Sequence, residues 1–327
     1  MNLLRIISVS LAFLCASASA ATAEGFTAFG DSHTVGVGAT APAKSWLGLM
    51  APVNAAASGA QAADVSNAVQ GQAPDLGRTY TIMVGTNDHR TYKADTTKQE
   101  FFKRFLRQAI AWLAYPEKCK GRDACMSYTG TWSNTAANGF GKVSTQSGAT
   151  AQAMVDGQSV YLCYIIQAHS SALSSANIEI DGAVVGTVGS YGAMNTVNGS
   201  TFASACSRFG GLSSGSHTVK VTVTSSGKNF YLDYIAGSAQ PTPRVLVSNV
   251  IRMTAAAYSA YGTSLANVTA YNGIISDVIS EFTSDTADVA LIDNYSDIAP
   301  STDLAGDGVH LNDAGHAKVS ENFAAAM

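Results

Sequence analysis

The chain has 327 residues, of which 46% are hydrophobic and 13% charged, with a formal net charge of −4. That is enough apolar material for one large core or two moderate ones. A weakly acidic chain with no basic run is a poor partner for nucleic acid or an anionic membrane surface, so neutral substrates fit better.

Taken in chain order, the first segment reads as a secretory signal over residues 1–23. Arg5 precedes an apolar run over 6–15, and small residues fill 16–23, so cleavage is expected after Ala20 or Ala23. The run is well short of the roughly 20 residues a membrane span needs, and no other segment is long and apolar enough. Leu14 stands directly before Cys15, where a lipid anchor requires a small residue. The mature chain is therefore expected to be secreted or periplasmic. It retains Cys119, Cys125, Cys163 and Cys206, an even number that predicts disulfides in an exported protein. Of the three possible pairings, Cys119 with Cys125 and Cys163 with Cys206 keep each bridge within one local unit. A zinc site lacks both a CxxC and a nearby histidine pair, and no metal or organic cofactor is expected.

From residue 25 to 115, short apolar runs at 26–29, 53–57 and 80–84 alternate with helical patterns, the last an amphipathic stretch over 97–115. The same texture returns after Pro243, with strands at 244–251 and 289–292, a helix over 265–282 and a closing helix from about Asn312. Five strands and their crossovers predict one parallel sheet.

Residues 127–240 differ, being rich in serine, threonine and glycine with two-residue alternation. Strands are predicted at 160–166, 177–180, 217–224 and 229–235, with turns at Asp181-Gly182 and Ser225-Ser226-Gly227. This reads as an all-β sandwich inserted between the third and fourth strands of the α/β domain, with Pro241-Thr242-Pro243 marking the return. The expected organisation is thus a discontinuous α/β domain over 24–126 and 241–327, interrupted by a β module over 127–240.

Four pieces of the α/β part bear chemistry. Ser32 follows the first strand, at the carboxyl end of a parallel sheet, where open α/β folds place their sites. Gly59 lies past the second strand, where a glycine lets a backbone N–H approach a ligand closely. Asn87 lies past the third strand, and its side-chain amide is a suitable donor to an oxyanion. Finally, Asp307-Gly308-Val309-His310 puts an acid and an imidazole three positions apart. A calcium-loop reading of that run, with Asp303 first and Asp307 fifth, fails at Ala305 and Ala314. Acyl transfer needs a hydroxyl, an imidazole that takes its proton and a carboxylate that fixes the imidazole. Ser32, His310 and Asp307 supply these parts.

In this order the pieces resemble four blocks of the SGNH hydrolases, also called GDSL-like esterases: Gly30-Asp31-Ser32, Gly59, Gly85-Thr86-Asn87-Asp88 and Asp307-Gly308-Val309-His310. The resemblance covers roughly 25–120 and 241–327 and implies an α/β fold of three layers, α/β/α, around the five-stranded parallel sheet. It implies Ser32 as nucleophile, His310 as general base and then acid, and Asp307 as the group orienting His310. It also implies an oxyanion hole from the backbone N–H groups of Ser32 and Gly59 and the side chain of Asn87. A departure is His33, where many members carry leucine or tyrosine. We expect His33 on a solvated turn, His89 on a surface loop, His169 and His217 on loops or strand edges of the insert, and His316 in a structural role. Gly211-Leu212-Ser213-Ser214-Gly215 satisfies G-x-S-x-G, yet it precedes a strand, where a nucleophile elbow must follow one.

The insert's texture resembles jelly-roll carbohydrate-binding modules found within some SGNH esterases. Trp132, Tyr128 and Tyr191 are candidate stacking platforms, although aromatics in a small sandwich serve the core more often. The resemblance implies a secreted esterase that removes a short acyl group, acetyl above all, from a carbohydrate or another small ester. The alternatives are a lipase, arylesterase or acyltransferase with the same apparatus, and an inactive glycan-binding protein, which would be expected to have lost one of the catalytic parts.

Overall fold

The computed structural model describes residues 25–168, 173–192, 194–197 and 199–327; the expected signal segment and His169 lie outside them. Strands β1 (Thr27–Gly30), β2 (Val53–Asn54), β3 (Thr79–Met83), β4 (Arg244–Ser248) and β5 (Val289–Ile292) form one sheet in the order β5-β4-β3-β1-β2. Every neighbouring pair is parallel. The regular part of β2 is shorter than the predicted 53–57, but Ala55 N and Ala57 N still donate to Ala28 O and Gly30 O, so the chain follows β1 to its end.

The helices are α1 (Ser32–Val35), α2 (Trp46–Met50), α3 (Ala62–Val69), α4 (Thr86–Tyr92), α5 (Thr96–Ala114), α6 (Ala255–Tyr261), α7 (Leu265–Ser284), α8 (Asn294–Asp297) and α9 (Asp313–Ala326). Side chains alternate across a strand, and both faces here are apolar. Phe26, Ala28, Met83 and Leu246 pack with Trp46 of α2 and with Val319 and Phe323 of α9. Phe29, Ile82, Val245 and Val247 join the core that holds α3, α5 and α7.

Register aligns the carboxyl ends of four strands, with Gly30 beside Met83, Met83 beside Ser248 and Ser248 beside Ile292. The segments that follow those strands therefore emerge along one edge. The chain steps from β1 outward to β2 and then back across to β3, so strand order reverses at β1, the topological position where open α/β sheets leave a crevice.

Between Cys119 and Gly237 the chain builds two antiparallel sheets. One contains Phe202–Gly210, Ser159–Gln167, Phe230–Gly237, Lys142–Ser144 and Ser133–Asn134, with Cys119–Lys120 also pairing with Phe230–Gly237. The other contains Ala183–Gly189, Ser175–Ile180, Ser216–Val223, Thr150–Asp156 and Ser127–Thr129. Asp181 and Gly182 both take positive φ, 51° and 84°, and turn the Ser175–Ile180 strand back into Ala183–Gly189. Cysteines pair as expected, Cys119 with Cys125 and Cys163 with Cys206, the latter across opposed positions of neighbouring strands.

The two antiparallel sheets are buried differently. Ser216–Val223 alternates buried with less buried residues, as a sheet with one wet face does. Phe230–Gly237 is buried at every position, and Ser159–Gln167 at all but the last. Those strands are covered on both faces, and the second cover is α5. Every residue of α5 from Phe105 to Ala114 is buried, so the amphipathic helix expected there is enclosed all round. Its buried cation is paired: Arg107 Nε and Nη2 meet the Glu281 carboxylate at 2.6 and 2.7 Å, while Nη1 donates to Cys206 O.

Further polar ties cross the same boundary. Asp285, after α7, accepts from Ser159 Oγ, Tyr161 Oη and Arg208. Buried Asp233 accepts from Gln70 Nε2, Asn138 Nδ2 and Ser204 Oγ. A buried acid left without such partners costs several kcal/mol, roughly 3–5 by analogy with broken buried ion pairs, so these contacts are all-or-none. The antiparallel sheets are thus welded to the helical layer. We predict that a chain lacking 127–240, which would bare α5, shows no cooperative thermal transition in near-ultraviolet circular dichroism; a cooperative melt would contradict the shared core.

Candidate active site

Ser32 opens α1 directly after β1. Asp31 caps that helix, its Oδ1 accepting from the His33 amide at 3.0 Å, and Gly36 ends it in the left-handed region. The short helix is pinned from the other side by Trp46, whose indole N–H donates to His33 O at 3.1 Å. Ser32 is only 4% exposed, so its hydroxyl sits in a fixed recess.

Asp307 and His310 arrive on the loop between α8 and α9. The loop folds back on itself, with Ala305 N donating to His310 O, Gly308 N to Ala305 O, and Leu304 bridging Leu311. Gly308 has φ 69°, and a Cβ there would fall 2.1 Å from Thr254 Oγ1, so the tight approach to α6 demands glycine. Asp303 ties the loop's base, accepting from Ala299 N, Thr302 Oγ1 and Lys318 Nζ. Asp313, the first residue of α9, receives Thr40 N, Thr40 Oγ1 and Lys44 Nζ, which fastens the loop to the segment following Ser32.

These constraints bring the three side chains into one line. Asp307 Oδ2 lies 2.5 Å from His310 Nδ1, and His310 Nε2 lies 2.9 Å from Ser32 Oγ. Asp307 Oδ1 additionally accepts from the amides of Val309 and His310. Partial burial works to raise the Asp307 carboxyl, but the hydrogen bonds from the His310 ring and from those two amides outweigh it and hold the group at about 2. An ionised Asp307 fixes the imidazole with its proton on Nδ1, leaving Nε2 to accept from the serine hydroxyl.

The remaining candidates lie around that line. Gly59 has φ 81° and follows the segment that Ala57 N ties to Gly30 O at the end of β1. Asn87, in the first turn of α4, donates from Nδ2 to Ala60 O at 3.0 Å, and Arg90 Nη1 reaches its Oδ1 at 3.5 Å. The amide group has two hydrogens, so one remains available after the bond to Ala60. The backbone amides of Ser32 and Gly59 have no partner among the described residues. Gly59 and Asn87 are thereby brought to adjoining positions by Ala60, which the sequence spacing alone does not reveal.

Two expectations about histidines need correction. His33 is fully buried, not solvated: its ring lies 5.5 Å from the His310 ring, and neither ring nitrogen has a partner among the described residues. His89 is likewise buried within α4, with Nδ1 3.2 Å from Thr263 Oγ1. Residues just past the strands are enclosed here because α2, α9 and α7 roof that edge. His316 is structural, its Nδ1 accepting from Trp46 N and its Nε2 donating to Val37 O. His217 bonds Asp181 Oδ2 and Ser213 O within the β region. Ser213 lies in the turn between Phe202–Gly210 and Ser216–Val223, as its position before a strand implies.

Of the candidate stacking aromatics, Tyr128 packs beside Trp132, donates to Gly121 O and carries Lys142 Nζ 4.5 Å above its ring. Tyr191 is 50% exposed. Among the described residues no helix is long and apolar enough to cross a membrane, and no three His, Cys, Asp or Glu side chains gather as metal ligands would.

Sequence reasoning missed the buried ionisable groups behind Ser32. Burial pushes the Asp31 carboxyl up to about 7, against the pull of the His33 amide. Burial likewise pushes Asp88 up to about 8, against its bond from Ala62 N and with Asp31 adding to the rise. The imidazoles move the opposite way: burial lowers His33 to about 3, with His310 contributing, and lowers His89 to about 4, with Arg90 contributing.

The consequences for stability have defined signs. Between pH 6.5 and about 4 the unfolded chain gains protons on these histidines that the folded chain refuses, so stability falls with acidification. From about pH 4 to 8 the unfolded chain ionises Asp31 and Asp88 while the folded chain keeps them protonated, so their contribution falls as pH rises. We predict that H89Q loses less thermal midpoint than the native chain between pH 6.5 and 4.5; equal losses would show that His89 is not held neutral.

No family model and no curated protein matches the chain. Among solved structures it is remotely similar to a two-domain esterase active on acetylated mannans, with 11% identity over 65% of this chain and 90% of that one and a TM-score of 0.35. It is also similar to the CBM36-1 domain of a multidomain xylanase from the hindgut metagenome of Trinervitermes trinervoides, with 16% identity over 36% of this chain and 93% of that one and a TM-score of 0.29. A family 35 carbohydrate binding module from Clostridium thermocellum shows 14% identity over 36% and 94%, with a TM-score of 0.26. Likenesses this remote decide neither the fold nor the function of the chain.

Proposed function

We propose that the chain is an exported serine esterase of the SGNH type that removes a short acyl group, acetyl, from a carbohydrate. The observation that carries the reading is the unbroken line from Asp307 through His310 to Ser32 at the carboxyl edge of a parallel sheet. His310 Nε2 takes the Ser32 proton as Oγ attacks the ester carbonyl carbon. The negative oxygen that forms is met by the amides of Ser32 and Gly59 and by Asn87 Nδ2. As the tetrahedral adduct collapses, His310 returns the proton to the departing sugar oxygen, leaving the acyl group on Ser32. Water, deprotonated by the same imidazole, attacks this ester, and as the second adduct collapses His310 gives that proton to Ser32 Oγ, which leaves as the free hydroxyl while the carboxylic acid is released. Asp307 keeps the imidazole oriented and stabilises its cationic form throughout.

Exposure suits an access route: the His310 side chain is 20% exposed and Asp307 48%, so the line opens to solvent from the imidazole side. A polymer can present an ester there without entering a deep cavity. The division of the chain into an α/β domain over 24–126 and 241–327 and a glycan-binding module over 127–240 is part of this proposal. The rigid attachment of the antiparallel sheets supports it, because it would hold a bound glycan at a fixed position relative to Ser32.

The test is kinetic. With nitrophenyl acetate, S32A and H310A should lose about a millionfold in kcat, D307N about ten-thousandfold, and N87A about a hundred- to a thousandfold. Wild-type protein should release acetate from acetylated polysaccharides and favour acetyl over longer acyl chains. An S32A variant as active as wild type would overturn the mechanism, and acetate release from nitrophenyl acetate alone would overturn the carbohydrate assignment.

A further inference from the structure

A loop of the antiparallel region reaches the candidate oxyanion pocket. After Ala183–Gly189 the chain passes Gly192, where a Cβ would fall 2.5 Å from Ile166 and 2.7 Å from Phe101 of α5, so the loop leaves the sheet pressed onto that helix. Among the described residues, the amides of Asn195 and Val197 then reach the α/β part. Asn195 N donates to Tyr92 Oη at 2.8 Å, and Val197 N donates to Asp64 Oδ1 at 2.9 Å.

Both acceptors also hold the segment that bears Gly59. Tyr92 Oη donates to Gln61 Oε1 at 2.9 Å, and Asp64 Oδ2 accepts Gln61 N at 2.9 Å. Gln61 Nε2 in turn reaches Thr91 Oγ1 and the carbonyl of Asn87. One network therefore joins the loop to both elements that carry the candidate oxyanion donors beyond Ser32. On that support Val197 lies against Gly59, its Cγ1 3.1 Å from the point where a Cβ of residue 59 would stand. The side chain is half exposed, an isopropyl group offered to solvent beside a backbone amide that has no partner among the described residues.

We propose that Val197 forms the wall of the acyl subsite and limits the acyl group to about the size of acetyl. This deepens the esterase reading and rests on it. The chemistry assigns the side: the departing alcohol must face His310, which returns a proton to it, and the oxyanion takes the Gly59 amide itself, which leaves the side chain flanking that amide, Val197, to meet the alkyl part of the acyl group. An aliphatic wall also offers nothing to glycan hydroxyls and matches a methyl group. In consequence the antiparallel region completes the site as well as carrying any glycan-binding surface.

The experiment measures kcat/KM for nitrophenyl acetate and butyrate, and for acetate esters of two different alcohols, in wild type, V197A and V197W. Because Val197 is half exposed, neither substitution removes core packing. The butyrate-to-acetate ratio should rise about tenfold in V197A, a size step in an apolar pocket being worth at least that much, and should fall in V197W. The ratio between the two alcohols should hold within about twofold, well under that step. A butyrate-to-acetate ratio that does not move, or an alcohol preference that moves in its place, overturns the assignment of Val197 while leaving the serine mechanism intact. Wild-type protein that hydrolyses none of these esters, or S32A that hydrolyses them equally well, overturns the esterase reading on which it rests.

Discussion

The bond between His310 and Ser32 joins residues 278 positions apart, and most of the fold can be read as what makes that meeting possible. A serine hydroxyl and an imidazole gain nothing from proximity unless both are held in one geometry, since ordering two side chains costs conformational entropy. The parallel sheet provides the frame, because its strands end in register and deliver their following segments to one edge. Local clamps do the rest: Trp46 on the serine side, and Asp303 and Asp313 on the histidine side. Each clamp is a buried or charge-assisted hydrogen bond, the kind that is costly to leave unmade.

The same frame explains the buried ionisable groups. Roofing the sheet edge to fix α1 and α4 also encloses Asp31, His33, Asp88 and His89, and enclosure drives all four toward their neutral forms. That has a use beside the candidate site. A cationic His33 would disfavour the imidazolium form of His310 only 5.5 Å away, the form the proposed mechanism requires. Neutralising these side chains costs stability on both the acid and alkaline sides, a recurrent property of sites whose groups are withheld from water.

Much of this was legible in the sequence because the relevant signals are local. The alternation of short apolar runs with helical patterns marked the parallel strands, including 289–292 to the residue, and the chain order of Ser32, Gly59, Asn87 and the Asp307 to His310 run pointed to a single edge. What could not be read was whatever depends on two distant segments touching. The pattern of α5 is amphipathic, and the antiparallel strands and α7 lying over it turn it into an enclosed helix with Arg107 paired internally. His33 and His89 look like turn residues in one dimension, and their burial comes from helices far along the chain. Nor could spacing show that Val197, more than a hundred positions from Gly59, comes to lie beside it.

The most direct measurement is to expose the protein briefly to nitrophenyl acetate, quench it in acid and map the acetylated peptide by mass spectrometry. The serine mechanism predicts an acetyl group on Ser32 that accumulates before steady state and is absent from S32A. Turnover with no acyl-protein, or an acetyl group carried by a different residue, would contradict it.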